Sequence, residues 1–183
     1  GWGAMNGAST TGDNNIAIGA SAGDAVTVAS GSTFIGNDAG GTVTTGNMNI
    51  GIGYGAINGG ATTGDNNIAI GRSAGQTLAA GYDNIFAGRY AGYSIGGGYR
   101  NIIMGAQAGD AMTDAVGALA MGAVNADCNS VVAIGYNAMG TGTGTSAINY
   151  TVAIGRSALE NLHSGTGNVA VGYNALNATT TGQ

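Results

Sequence analysis

The sequence predicts an all-β protein, a repetitive β-solenoid or β-roll in which each coil takes about 17 residues and stacks on the next. Three observations carry this expectation. The segment Thr10–Gly19 (TTGDNNIAIG) returns residue for residue as Thr62–Gly71. Taking the glycine after each short apolar run as an anchor gives Gly1, Gly19, Gly36, Gly53, Gly71, Gly88, Gly105, Gly122, Gly135, Gly155 and Gly172, with spacings of 18, 17, 17, 18, 17, 17, 17, 13, 20 and 17. The apolar runs are only three residues long and glycine interrupts every unit, so no i, i+3, i+4, i+7 stripe survives for a helix.

Each unit can be justified position by position. Seven residues before the anchor a glycine recurs (Gly12, Gly46, Gly64, Gly81, Gly98, Gly165), where a tight turn calls for positive φ. Four before it stands asparagine (Asn15, Asn49, Asn67, Asn84, Asn101, Asn168), a row that stacked coils turn into a ladder of amides bonding above and below. The strand follows. Its first position holds Ile16, Thr33, Ile50, Ile68, Ile85, Ile102, Leu119, Val132, Val152 and Val169; its third holds Ile18, Ile35, Ile52, Ile70, Ala87, Met104, Met121, Ile134, Ile154 and Val171. Around a mostly small central residue, this is the period-2 alternation of a short strand. Directly after the anchor comes a row of mixed size: Trp2, Ala20, Asn37, Tyr54, Arg72, Arg89, Ala106, Ala123, Tyr136, Arg156 and Tyr173. Three after it alanine fills ten of eleven units, with Asn125 the exception, so that position is sterically crowded.

Residues 1–183 therefore form one array of about ten coils, a rod of about 48 Å at roughly 4.8 Å per coil. Only residues 119–155 break phase, and the 13- and 20-residue spacings around Gly135 sum to 33, one short of two periods. The register is expected to recover after a distorted Gly122 coil and a loop over residues 140–146.

A coil of 17 residues, less two turns, leaves two sheets of about four or five residues each, with a gap narrow enough for alanine rows to fill. Neighbouring strand residues face opposite ways, so the central row (Ala17, Gly51, Ala69, Ala120, Ala133, Ala153, Ala170) faces away from the Ile/Val rows. The expected arrangement puts the small row inside the roll and packs the large rows against partner chains, with Phe34, Phe86 and Ile103 as misfits. A closed single-chain solenoid with isoleucine inside is the alternative.

Composition excludes several functions. Lys is absent and the net charge is -5, which offers no basic surface to a phosphate backbone, so no nucleic-acid partner is expected. Collagen is excluded because Pro is absent and the 38 Gly keep no three-residue period. The single Cys128 and single His163 leave neither a disulfide nor a zinc cluster. No apolar run is long enough for a transmembrane helix, and no membrane insertion is expected. Gly51–Ala56 fits G-x-G-x-x-A, but the repeat generates it and no acidic residue follows at the dinucleotide-fold spacing. His163 and Glu160 lie close in one unit only, without a placed nucleophile. The expectation is a non-enzyme with no catalytic residue, cofactor or metal. Asp13 and Asp65 share one phase and Asp24 and Asp110 another, but these pairs sit three or more coils apart and read as solvated turns rather than calcium ligands.

The segments Val132–Met139 (VAIGYNAM) and Val169–Leu176 (VAVGYNAL), the latter followed by Asn177–Gly182 (NATTTG), resemble the tandem repeats of phage tail-fibre and bacterial adhesive-fibre proteins. They are also similar to the YadA-like head repeats of trimeric autotransporter adhesins. The resemblance spans essentially the whole chain. It implies a parallel homotrimer of left-handed β-rolls displayed extracellularly, on a virion tail fibre or bacterial cell surface, with attachment as its task. YadA-like heads usually have a shorter repeat, so the fibre shaft is the closer match. Gly1–Asp13 aligns with Gly172–Gln183, from which a fragment of a longer fibre, with further segments at both ends, is expected. Cell-surface glycans are a candidate partner for the post-anchor row, through Trp2, Tyr54, Arg72, Arg89, Tyr136, Arg156 and Tyr173, because aromatic faces and guanidinium forks suit sugars. The competing reading has these side chains cover turns and bridge coils. An ice-binding solenoid is the alternative function: Thr10-Thr11, Thr44-Thr45 and Thr62-Thr63 repeat in phase, but the row dissolves into Ala79-Ala80 and Gly96-Gly97.

Overall fold

The computed structural model describes residues 1–6, 11–110, 112–121, 128–140 and 148–182, and among these the regular secondary structure is β only. The strands are β1 (Ile16–Ile18), β2 (Thr33–Ile35), β3 (Ile50–Ile52), β4 (Ile68–Ile70), β5 (Ile85–Ala87), β6 (Ile102–Met104), β7 (Leu119–Met121), β8 (Cys128–Asn129), β9 (Val132–Ile134), β10 (Ile148–Asn149), β11 (Val152–Ile154), β12 (Ser164–Thr166), β13 (Val169–Val171) and β14 (Thr181–Gly182). Ten of them form one parallel sheet in the order β1-β2-β3-β4-β5-β6-β7-β9-β11-β13, so the chain is a parallel β-solenoid of about nine turns.

Backbone conformation sets both strand ends. Five residues before the anchor the chain turns through a left-handed φ, as at Asn66 (+59°), Asp83 (+57°) and Arg100 (+58°). The anchor glycines then lie between φ +118° at Gly105 and +139° at Gly88, a region that only glycine occupies readily. Between these points three residues remain extended. The anchor is also where coils come closest: a Cβ on Gly53 would stand 2.6 Å from the carbonyl oxygen of Gly71.

The glycines seven before the anchor have a different cause from the one expected. Positive φ holds only at Gly165 (+132°); Gly12, Gly46, Gly64, Gly81 and Gly98 are outside the left-handed region. What excludes a side chain there is the neighbouring coil, since a Cβ on Gly98 would meet the Ala115 carbonyl oxygen at 2.6 Å. Close backbone approach, rather than turn geometry, keeps them small.

The asparagine ladder forms as expected from Asn49 to Asn101, whereas Asn168 of the same row leaves its buried Nδ2 without a hydrogen-bond partner. Asn49, Asn67, Asn84 and Asn101 are fully buried. The Nδ2 groups of Asn67, Asn84 and Asn101 each donate to the Oδ1 of the preceding rung at 3.0 Å. Each also donates to a backbone carbonyl of the following coil, at Gly81, Gly98 and Ala115. Ser32 fills the gap in the row: its N–H donates to Asn15 Oδ1 and its hydroxyl accepts from the Asn49 N–H.

The core runs the length of the coil stack behind the ten-stranded sheet. The alanines three after the anchor are fully buried at Ala22, Ala39, Ala56, Ala74, Ala91, Ala108, Ala138 and Ala158, and so are the central strand residues Ala69, Ala133 and Ala153. Phe34, Phe86 and Ile103 are not misfits. They are fully buried as well, because glycine four after the anchor clears space for them: a Cβ on Gly75 would lie 2.7 Å from Phe86 Cδ2, and one on Gly23 3.1 Å from Phe34 Cδ2. Burying each ring contributes roughly 2–3 kcal/mol. Val26, Val43, Leu78, Ile95, Met112 and Leu162, seven after the anchor, are buried with them, as are Ile57, Met139, Ile148 and Leu159.

The opposite wall is thinner than two equal sheets would make it. It contains a four-stranded sheet, β14-β12-β10-β8, and isolated bridges such as Val43–Thr62 and Tyr99–Val116. Across the phase break the main sheet keeps its register: Leu119 pairs Val132 and Val132 pairs Val152, although these lie 13 and 20 residues apart. The Gly122 coil with Asn125, and residues 141–146 of the expected loop, lie outside the described residues.

Candidate functional site: an exposed apolar sheet face and an arginine–tyrosine ridge

Because the central strand residue points inward, the first and third point out. No residue of either outward row is buried within the chain, from Ile16 and Ile18 to Val169 and Val171. Ile18 remains 57% exposed and Val171 66%, values that no closed solenoid with isoleucine inside could give. The result is a strip one strand wide and ten strands long, made of Ile, Val, Leu and Met with Thr33 and Ala87 as its smaller members.

Beside this strip runs the post-anchor row, and every described candidate in it is exposed. Trp2 (89%), Tyr54, Tyr136 and Tyr173 stand out from the surface. Two arginines lie against tyrosines of neighbouring coils: the Arg72 guanidinium is 5.7 Å from the Tyr54 ring centre and 5.9 Å from that of Tyr90, and Arg156 is 5.6 Å from Tyr136, while Arg89 lies 5.6 Å from Tyr90, the next residue of its own coil. The structure thus brings Tyr54, Arg72 and Arg89 together on successive coils and joins Arg156 to Tyr136, while Trp2 stands apart in the first coil. The contacts that cross coils hold them together by about 0.5–1 kcal/mol each at exposed sites.

A second aromatic group was not legible from the anchor rows. Tyr82 and Tyr99, six before their anchors, stack face to face with ring centres 4.8 Å apart and planes within 5°. Arg100 lies over Tyr99 and faces Asp83 across 3.9 Å, an exposed pair of little energetic weight. The signal was present as two tyrosines 17 residues apart, but it occurs in two coils only.

The threonine hydroxyls point along the stack. Thr27, Thr62 and Thr77 donate to the carbonyls of Thr44, Leu78 and Tyr93 at 3.0, 2.7 and 2.8 Å. Glu160 accepts from Asn137 at 3.1 Å and from Asn177 at 2.9 Å, which ties three successive coils. The hydrogen bond from Ser157 is the largest influence holding its carboxyl below the ordinary value; burial opposes that, and Asn137, Asn177 and the Arg156 charge add to it. The His163 Nδ1 faces the Asn161 carbonyl instead of Glu160. Among the described residues no three His, Cys, Asp or Glu side chains converge, and no helix is long and apolar enough to cross a membrane. No family model matches the chain, and neither a curated protein nor a solved structure matches it.

Proposed function

We propose that this chain is a non-enzymatic structural segment, shaft or head, of a trimeric extracellular fibre that supports attachment to a host or surface. The single observation that carries the reading is the outward face of the ten-stranded sheet. At strand and residue spacings of about 4.8 and 3.3 Å it forms a continuous apolar strip on the order of 400 Å², the scale at which exposed apolar surface marks a contact site. Its natural cover is more of the same surface. Parallel copies present identical rows at an identical repeat, so each Ile/Val row meets its like in every coil, and closure around a three-fold axis leaves no copy of the strip in water. The motifs VAIGYNAM and VAVGYNAL, with their resemblance to tail-fibre and adhesive-fibre repeats, point the same way. Arg72 and Arg156, packed on the tyrosines of adjacent coils, support a bridging role for the post-anchor row ahead of a glycan-reading one.

Light scattering on the purified chain is expected to give three times the chain mass. Replacing Ile68 and Ile70 by Thr keeps β-branched side chains on the strand while making the strip polar, and should yield dissociated chains with an unchanged β spectrum. A parent protein that stays monomeric at every concentration would remove the fibre reading. Ice binding, the second reading, draws on the same regular sheet; measurable thermal hysteresis in the monomer would favour it. The strip carries one hydroxyl row member, Thr33, and the threonines on the other wall direct their hydroxyls to backbone carbonyls.

A further inference from the structure

The apolar strip has two borders. Along one, each coil turns its corner at positive φ five residues before the anchor, and the ten corner residues from Asn14 to Gly167 are all exposed. Along the other runs the post-anchor row. Coil by coil the contents of the two borders match. The Gly53 coil has Met48 on one border and Tyr54 on the other, both more than half exposed. The Gly88 coil has Asp83 and Arg89, and the Gly155 coil Tyr150 and Arg156, all exposed. Arg100, the one cation of the corner row, shares its coil with Ala106, so no coil places like charges on both borders. The three pairs are apolar, ionic and cation–π in type, yet none can close within a chain. The strand between the partners holds them roughly 15–20 Å apart. Arg100 approaches Asp83 along the border, not across the strip.

Area gives the second argument. The strip alone, on the order of 400 Å², is about half of the roughly 800 Å² per partner that a stable interface buries. Taken with both borders the face is seven positions wide and on the order of 900 Å², which meets that requirement. Rotation about an axis along the stack keeps every coil at one height. It also turns the corner border of one copy toward the post-anchor border of the next.

We propose that the two borders are the two halves of one contact, the corner row of each copy docking on the post-anchor row of the next at the same coil height. Asp83 then meets the partner's Arg89, Met48 the partner's Tyr54 and Tyr150 the partner's Arg156. This rests on the fibre reading above and adds to it which rows meet. Antiparallel copies would instead lay each border on its own reverse and lose all three pairs.

The absence of Lys from the chain makes a clean test possible. Arg89→Lys keeps the charge and introduces a single side-chain amine, which a carbodiimide joins to a carboxylate only where the two are in direct contact. Treated full-length Arg89→Lys protein is expected to run as covalent dimers and trimers under denaturing conditions. The treated parent, and Arg89→Lys combined with Asp83→Asn, should run as single chains. Light scattering before treatment separates this inference from the reading beneath it. Scattering at three chain masses without covalent linkage, or linkage that survives Asp83→Asn, overturns the border pairing and leaves the trimer standing. A parent that scatters as a monomer overturns both.

Discussion

At Gly53 an added methyl group would meet the Gly71 carbonyl oxygen at 2.6 Å while the backbone holds φ at +129°, so steric and torsional penalties coincide. Gly53→Ala should cost about 2–4 kcal/mol or prevent folding, from strain of about 1–3 kcal/mol plus coil separation. Gly60 offers the contrast, with no heavy atom within 4 Å of its Cβ position and a φ outside the left-handed region. There Ala should stabilise by about 0.4–1 kcal/mol through the unfolded chain. Chemical denaturation of the two variants separates them, and equal effects would refute the distinction between anchor and loop glycines. Asn67 is governed by hydrogen bonding instead. Its side chain bonds Asn49, Asn84 and the Gly81 carbonyl in a fully buried row, so Asn67→Ala strands several polar groups and should cost about 2–4 kcal/mol, at roughly 1–3 kcal/mol for each group left unsatisfied.

Between coils, Glu160 makes a pH-dependent link. Its carboxyl is held below the ordinary value in the folded state, chiefly by Ser157, so its stabilising contribution is present above the unfolded value and is lost as pH falls through the folded one. Melting temperature followed from neutral pH down to about pH 3 should therefore fall more steeply in the parent than in Glu160→Gln. Parallel curves would show that the link carries no proton linkage. The strands and the asparagine rungs were legible in the sequence because Ile68-Ala69-Ile70 and Asn67 recur at one phase, and stacking converts phase directly into contact. The far wall was not. Its pairing rests on short pieces such as Ile148–Asn149, whose side chains follow no alternating rule that sequence could display. The fit of Phe34 and Phe86 was legible only in combination, since the compensating Gly23, Gly40, Gly75 and Gly92 belong to a different row from the rings they accommodate. In the candidate site, exposure of the two outward rows followed from alternation alone, whereas the pairing of Arg72 with Tyr90 depends on side-chain reach across coils.

Among the described residues strands meet only those of adjacent coils, so stability is a sum of coil terms and interfaces and opens from the ends. Hydrogen exchange should find the slowest amides between Asn67 and Asn101, where every rung of the ladder is paired, and faster ones in β1 and β13. Uniform protection would indicate a single cooperative unit instead. The same parallel stacking has a mechanical consequence. Strands lie across the long axis, so the hydrogen bonds joining them lie along it. Tension applied to one isolated chain would load these bonds one coil at a time and peel the stack like a zip, whereas compression would press backbone onto backbone at the anchor glycines. In the proposed assembly, resistance to pulling would come from what clasps the sides of the stack, and sliding of the aliphatic strip past a neighbouring copy is the motion such a fibre would have to overcome.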